Sequence, residues 1–571
     1  MTRKHQAHVE HHKRSREEIA KIEIGHTDIS PAVTRTLSFG FIAVLLAVPI
    51  IQTIRELPSV PQWTAPFVFL WPKSSEIKSI VSPPDGEGRF AQAKAMNQRL
   101  LIDISEYEKE LKDRDVMVQW LIPRMQSIIT GGLRGGNEKA YCGRDGWLFY
   151  RDDVDSLTGR GFLDPAALRQ RAASGNELVA PPQPDPVKAI VDFRDQLAAR
   201  GIELIIVPAP VKPSVQPEFY SSRYEGRSVI VQNPSFVEFK DRLTKADVSV
   251  FDPAELFAKD KASKPSEQLY LKTDTHWTPQ AMERTAAALA AFAREKTTLS
   301  PASPDRYSTA EKTIAGVGDI ALMLKLPKEQ AIYPPEKLTI RQVIEDDLLW
   351  RPDTSAEVLF LGDSFANIYS LEPMGFGESA GFVEHISLAL GLPVDAITQN
   401  DAGSHATRTT LSNNMRKGRD RLEGKKLVIW EFASRELSSG DWKLLSMELG
   451  EKRESDLYVP TSTEPVEVRA VVLAATRAPI PGSVPYKDHI IMVHLDEIES
   501  TDDPQANGKA AVAFIWSMRD NILTPASRYR PGDVVKLKLR PWADVESQFG
   551  AFNRREFDDI DLMLADPVWA E

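Results

Sequence analysis

Between Tyr150 and Leu437 short apolar runs alternate with longer amphipathic ones, and this alternation narrows the fold more than any other feature of the chain. Ile202–Val207, Ala356–Leu361 and Lys426–Phe432 are short and largely apolar, as strands covered on both faces are. Pro186–Arg200 has helical spacing and ends at Gly201, a residue suited to closing a helix. A second helix is expected from Pro279 through Phe292, because Thr278-Pro279 is a helix-start signal. Strands and helices in this order predict an α/β domain with a parallel sheet flanked by helices. Its site should lie at the C-terminal ends of the strands.

One strand run ends in Gly362-Asp363-Ser364-Phe365. A serine there would stand at a strand's C-terminal end, where backbone N–H groups can meet a developing oxyanion. A hydroxyl becomes a useful nucleophile only when a histidine takes its proton and a carboxylate orients the histidine. Upstream, Asp274-Thr275-His276-Trp277 places an acid and a histidine two residues apart, on one face of an extended segment. The alternatives are structural: a surface turn for Gly-Asp-Ser, a packed core histidine for His276, a helix cap for Asp274. Found together, the two motifs favour catalysis.

The pairing of Asp274-Thr-His276-Trp277 with Gly362-Asp-Ser364-Phe365 resembles the alginate O-acetyltransferase family of the AlgX/AlgJ type, whose catalytic domain is like the SGNH hydrolases. Gly143-Arg-Asp145-Gly146-Trp147-Leu-Phe149 is similar to the opening segment of those domains, and Ile202–Pro208 leading to Pro210 and Lys212 is a further match. The resemblance covers roughly residues 130–440. It implies Ser364 as nucleophile, His276 as general base and Asp274 as its orienting acid, with no metal or bound cofactor. The chain departs from ordinary SGNH hydrolases in lacking a clear Gly-x-Asn-Asp block. Asn400, in Gln399-Asn400-Asp401-Ala-Gly403, is the candidate second oxyanion donor beside Ser364. Lys212 and Arg435 are candidate substrate contacts, with a surface salt bridge the alternative for Arg435.

Thr36–Ile54 is a run of nineteen residues without a charge, closed by Arg35 and Arg55. That length just spans a hydrocarbon core of about 30 Å. No Ala-x-Ala-like cleavage site follows, and the leader 1–35 holds several Lys and Arg. The expectation is a transmembrane signal anchor at 36–54, a cytoplasmic leader at 1–35, and the rest exported to the periplasm from the inner membrane. His5, His8, His11 and His12 belong to a solvated tail in this reading. The single cysteine, Cys142, excludes intrachain disulfides and cysteine-based metal sites. A net charge of −11 argues against a nucleic-acid partner.

Pro58, Pro61, Trp63, Pro66, Trp71 and Pro72 form an expected interfacial stretch, and residues 55–130 a juxtamembrane helical stalk. Gly131–Gly136 is read as a turn opening a catalytic domain at 131–455. It is no phosphate loop, because no Gly-Lys-Ser/Thr follows. After about Pro460 the runs Val466–Ala474, His489–Leu495, Ala510–Trp516 and Asp533–Leu539 are of β type. Asn507-Gly508 is a hairpin signal and Pro531-Gly532 a turn. A small β-barrel or sandwich, with an OB-like barrel among its forms, is expected at 460–571. Tyr486, Trp516, Tyr529 and Trp542 could stack on sugars or pack in its core.

The combined expectation is an extracytoplasmic O-acetyltransferase acting on a secreted polysaccharide through an acyl-serine. Because acetyl-CoA is cytoplasmic, the resemblance implies a membrane-bound O-acyltransferase as acetyl supplier. A carbohydrate acetylesterase with the same triad and a non-catalytic glycan-binding scaffold are the alternatives.

Overall fold

The computed structural model describes residues 30–56, five positions between 94 and 104, and 116–571 apart from 176–180, 401–403, 452–455 and scattered positions between 463 and 564. The chain divides into two units, residues 1–120 and 121–571. In the first, Pro31–Glu56 is a helix of 26 residues that contains the expected anchor. The side chains at 44 and 48–56 lie outside the described residues. Among the described residues no helix is long and apolar enough to cross a membrane, so the transmembrane helix expected at 36–54 is not supported. The leader up to residue 29, the Pro- and Trp-containing stretch, and most of the expected stalk lie outside the described residues.

A helix Val116–Leu133 carries the end of the stalk segment. It takes in Gly131 and Gly132, so the glycine run is half helix end and only then turn.

The second unit holds the predicted parallel sheet. Its strands are β1 (Glu203–Ala209), β2 (Ser249–Val250), β3 (Val358–Gly362), β4 (Asp395–Thr398) and β5 (Leu427–Ala433). They lie in the order β2-β1-β5-β3-β4, and every pairing is parallel. The chain leaves β1 toward one edge and β3 toward the other, so the C-terminal ends of β1, β5 and β3 form a topological switch point. Side-chain alternation divides the core in two. Ile205, Val207, Val358, Phe360 and Ile429 enter one cluster, while Leu204, Ile206, Leu359, Leu361 and Trp430 enter the other. Each strand therefore reads as a continuous apolar run, which is why these three were legible. The helix Pro186–Ala198 leads into Gly201 at φ +73°, a conformation glycine adopts without strain.

An antiparallel hairpin, Tyr307–Gly316 with Glu336–Glu345, was not foreseen. Many of its side chains are exposed, so it lacks the apolar signature of the buried strands.

The C-terminal domain is a barrel. Val466–Ala475 (β6), His489–Glu499 (β7), Ala511–Arg519 (β8), Val534–Pro541 (β9) and Val568–Ala570 (β10) pair in the cycle β8-β10-β9-β6-β7-β8. The Asn507-Gly508 signal lies between the correct partners, β7 and β8. It is not a two-residue turn, because residues 500–510 form a longer loop in which only Gly508 has positive φ, +72°. Trp542 is buried, Trp516 packs edge-on against Phe549, Phe552 and Trp569, and Tyr529 packs against the barrel core. Three of the four candidate sugar-stacking aromatics are thus core residues.

Candidate active site

The Gly362–Phe365 turn is fixed from within the sheet. Asp363 caps the helical turn Ser364–Asn367 by accepting from the Phe365 N–H at 2.8 Å. Its other oxygen accepts from the Ala433 N–H at 2.8 Å, and its own N–H donates to Glu431 Oε2 at 3.0 Å. The end of β5 thereby holds the start of the serine helix. Gly362 is required by crowding, since an added Cβ would collide with the Phe360 ring and the Glu431 carboxyl group. Ser364 is the first helical residue, so its N–H has no acceptor inside the helix.

The Asp274 loop is held from outside the sheet. Leu271 N–H donates to His276 O and Thr278 N–H to Leu269 O, closing a tight loop over 271–276. Lys212 Nζ donates to the carbonyls of Leu148, Leu271 and Lys272 at 2.5, 3.0 and 3.2 Å. Glu336, from the unforeseen hairpin, accepts from the Thr273 N–H and hydroxyl at 2.8 and 2.5 Å. Asp319 accepts from the Thr275 N–H and hydroxyl at 2.7 and 2.6 Å, while its own N–H donates to Asp274 Oδ2 at 2.8 Å.

Between the two supports runs a continuous chain. Asp274 Oδ1 lies 2.7 Å from His276 Nδ1, and His276 Nε2 lies 2.9 Å from Ser364 Oγ. With the proton on Nδ1, the imidazole donates to Asp274 and accepts from the serine, as general-base activation needs. Phe365 packs edge-on against the imidazole at 4.8 Å. All three residues are buried and line one cavity of about 50 Å³, with Tyr150, Asp319, Asn400, Arg435 and Tyr486 also on its wall. That volume suits an acetyl-sized group.

Burial pushes the Asp274 carboxyl up, but the His276 charge and three hydrogen bonds outweigh it and hold the group below its usual range. Burial alone would lower the His276 pKa. The Asp274 carboxylate overrides this, aided by Asp319 and Asp363, and raises it. Asp319 is pushed up to about 7 by burial and by the Asp274 charge. Burial and the neighbouring Asp363 charge both raise the Glu431 pKa above its ordinary range.

The remaining sequence candidates divide. Lys212 does not reach the cavity: it is 0% exposed and its ammonium is engaged by three carbonyls, so the substrate-contact expectation is corrected to a structural cation. Burial lowers its pKa to about 8, against the pull of Asp274, Asp319 and Glu336. Arg435 does line the cavity. Its salt bridge is to buried Asp153, Nη1 to Oδ1 at 3.2 Å, rather than to a surface partner, and its guanidinium lies 5.5 Å from the Tyr150 ring centre. Asn400 also lines the cavity, its Oδ1 accepting from Asn367 Nδ2 and its Nδ2 donating to Asn553 Oδ1. Residues 401–403 of its expected turn lie outside the described residues.

Asp153, Asp319, Glu336, Asp363 and Glu431 were not singled out from sequence. Only Asp363 sat inside a recognised motif. Asp274, His276 and Asp319 have ligand atoms within 4.8 Å of one another, a spacing a cation could use. Those atoms are already engaged by Ser364, Thr275, the Asp319 N–H and each other, so a cation would have to break the triad.

The sequence model of the family described as "SGNH hydrolase-like domain, acetyltransferase AlgX" matches residues 140–434, just over half of the chain. Among curated relatives, "Probable alginate O-acetylase AlgJ" of Pseudomonas fluorescens is 27% identical over 310 residues, 53% of this chain and 69% of the relative. The protein of the same name from Pseudomonas syringae pv. tomato is 25% identical over 348 residues, covering 58% and 79%. Among solved structures, the O-acetyltransferase domain of Pseudomonas putida AlgJ aligns at 22% identity and a TM-score of 0.39, over 53% of this chain and 93% of that one. Pseudomonas aeruginosa AlgX aligns at 15% identity and a TM-score of 0.35, over 70% and 91%. The match across 140–434 takes in both catalytic motifs and all five strands of the parallel sheet, and on it the chain belongs to the SGNH hydrolase-like acetyltransferase family of the AlgX type.

Proposed function

We propose that this enzyme transfers acetyl groups to hydroxyls of a secreted polysaccharide through an acetyl-serine on Ser364. The single observation that carries the reading is the buried chain Asp274–His276–Ser364, with both contacts under 3 Å. Ser364 Oγ attacks the acetyl carbonyl while His276 Nε2 takes its proton. The tetrahedral oxyanion is met by the Ser364 N–H and by the Asn400 Nδ2 hydrogen that Asn553 does not use. The imidazolium, stabilised by Asp274, returns the proton to the leaving group, and acetyl-serine remains. A sugar hydroxyl then loses its proton to His276 and attacks the ester, and Ser364 leaves with that proton. Arg435 is placed to contact substrate, since its guanidinium lines the cavity and its one side-chain hydrogen bond among the described residues is to Asp153.

Room for a polymer supports the polysaccharide acceptor. A cavity of about 780 Å³ runs between the parallel-sheet domain and the barrel, and Asn367, on its wall, bonds to Asn400 on the wall of the triad cavity. Alginate, the polymer in the relatives' names, is the first acceptor to try. The charge-free run 36–54 between Arg35 and Arg55 supports an inner-membrane anchor with the catalytic domain in the periplasm. A membrane-bound O-acyltransferase would then supply acetyl groups from the cytoplasmic side. A reporter fused after residue 60 should be active only in its exported form, and cytoplasmic reporter activity there would overturn the topology.

The chemistry is tested by following the acetyl group. With an acetyl ester as donor, oligosaccharide acceptors should gain one acetyl mass, and Ser364→Ala should abolish the gain. Free acetate as the only product with every acceptor would favour an acetylesterase. Unchanged activity in Ser364→Ala would leave the glycan-binding scaffold.

A further inference from the structure

Two residues of the C-terminal domain reach the triad cavity or its wall. Tyr486, stacked near His489 at the start of β7, lines the 50 Å³ cavity itself. Asn553 grips Asn400 with two bonds: its Oδ1 accepts from Asn400 Nδ2 at 3.1 Å, and its Nδ2 donates to the Asn400 carbonyl at 3.0 Å. Asn553 is in turn fixed to the barrel, because its carbonyl accepts from the Ile490 N–H of β7. On the other side, Asn400 Oδ1 accepts from Asn367 Nδ2 at 2.8 Å, and Asn367 closes the helical turn that begins with Ser364. Barrel, cavity wall and nucleophile turn are thus joined by three amides in series.

We propose that the barrel is part of the catalytic site and that Asn553 is a positioning residue, which aims the Asn400 amide at the oxyanion. A primary amide nitrogen carries two hydrogens. With Asn367 holding the oxygen and Asn553 one hydrogen, the amide has no rotational freedom left and its second hydrogen has a fixed direction. Preorganised donors of this kind act without reorganising during the reaction. The inference rests on the acyl-serine reading of Ser364. It extends that reading by making turnover of even the smallest acetyl ester depend on a domain 153 positions away in sequence.

The test uses the full chain and a chromogenic acetyl ester too small to fill the interdomain cavity. Asn553→Ala should lower kcat about 10- to 100-fold with KM little changed, because a misdirected donor weakens the transition state rather than binding. Asn553→Asp keeps the acceptor and loses the donor, so it should fall between. Asn400→Ala/Asn553→Ala should be no slower than Asn400→Ala alone, since Asn553 acts only through Asn400. Arg419→Ala breaks another bridge to the barrel, the ion pair with Asp566, and should leave kcat unchanged. Wild-type kcat in Asn553→Ala, additive losses in the double variant, or an equal loss in Arg419→Ala would each overturn the proposal. Ser364→Ala separates the two levels: if it is inactive while Asn553→Ala is normal, only the barrel's role fails. If it is active, the acyl-serine reading fails and this proposal with it.

Discussion

The two halves of the triad are held by different means. The serine turn is bound to its own sheet through Glu431 and Ala433 of β5, the strand adjoining β3. The Asp274–His276 loop closes on its own backbone and is suspended by charged groups from distant segments, Lys212, Glu336 and Asp319. The first half is held by two carboxyl groups at the end of the sheet, Asp363 and Glu431, each bonded to backbone N–H. The second half needs a buried cation among several carboxylates, so its stability depends on charge balance.

Removing the reacting groups erases the distinction, and these losses are the largest expected. Ser364→Ala and His276→Ala should each lower kcat about 10⁴-fold or more, and the double variant little further, because triad members act as a unit. Steady-state assay of acetyl ester turnover checks this.

Next in size is Lys212→Met, which tests the suspended loop alone. It removes the ammonium from the carbonyls of Leu148, Leu271 and Lys272, the last of which still accepts from the Leu148 N–H, and leaves the carboxylates without their cation. A loss of about 3 kcal/mol in stability is expected, measured by denaturant unfolding, with a fall in kcat. Wild-type stability would show that the loop holds itself.

The serine turn should respond to shape rather than charge. Glu431 is buried with its pKa raised, and Glu431→Gln can still accept from the Asp363 N–H, so this variant should keep kcat within about twofold. Glu431→Leu removes the acceptor and should cost about tenfold. Equal losses in both variants would mean that Glu431 acts as an anion.

The smallest effect is in the pH profile. The base must be neutral to act, and its pKa is raised, so kcat/KM should fall as pH drops through a midpoint above His276's ordinary value of about 6.5. Asp319→Asn removes one of the anions that raise it, so the midpoint should move down. An upward move would reverse the assigned sign.

How much was legible follows the same division. Strands buried on both faces leave continuous apolar runs, and Gly-Asp-Ser after one of them marked the serine that the structure brings to His276. The Asp-x-His spacing marked the pair that the structure joins at 2.7 Å. The hairpin 307–345 was missed because its exposed strands carry a mixed pattern, and Lys212 was taken for a substrate contact because sequence does not tell a buried cation from a solvated one.

The order of residues alone determined the two-sided parallel sheet, the β-rich C-terminal segment and the pairing of the Asp274-x-His276 and Gly362-Asp-Ser364 motifs, because periodicity and short motifs are local properties of the chain. Tertiary structure alone decided which of the carboxylates stand behind His276, that Glu431 is buried beside Asp363, and that Asn553 meets Asn400. Each of these depends on burial and on partners tens to hundreds of residues apart, brought within hydrogen-bonding distance only when the sheet, the hairpin and the barrel have packed.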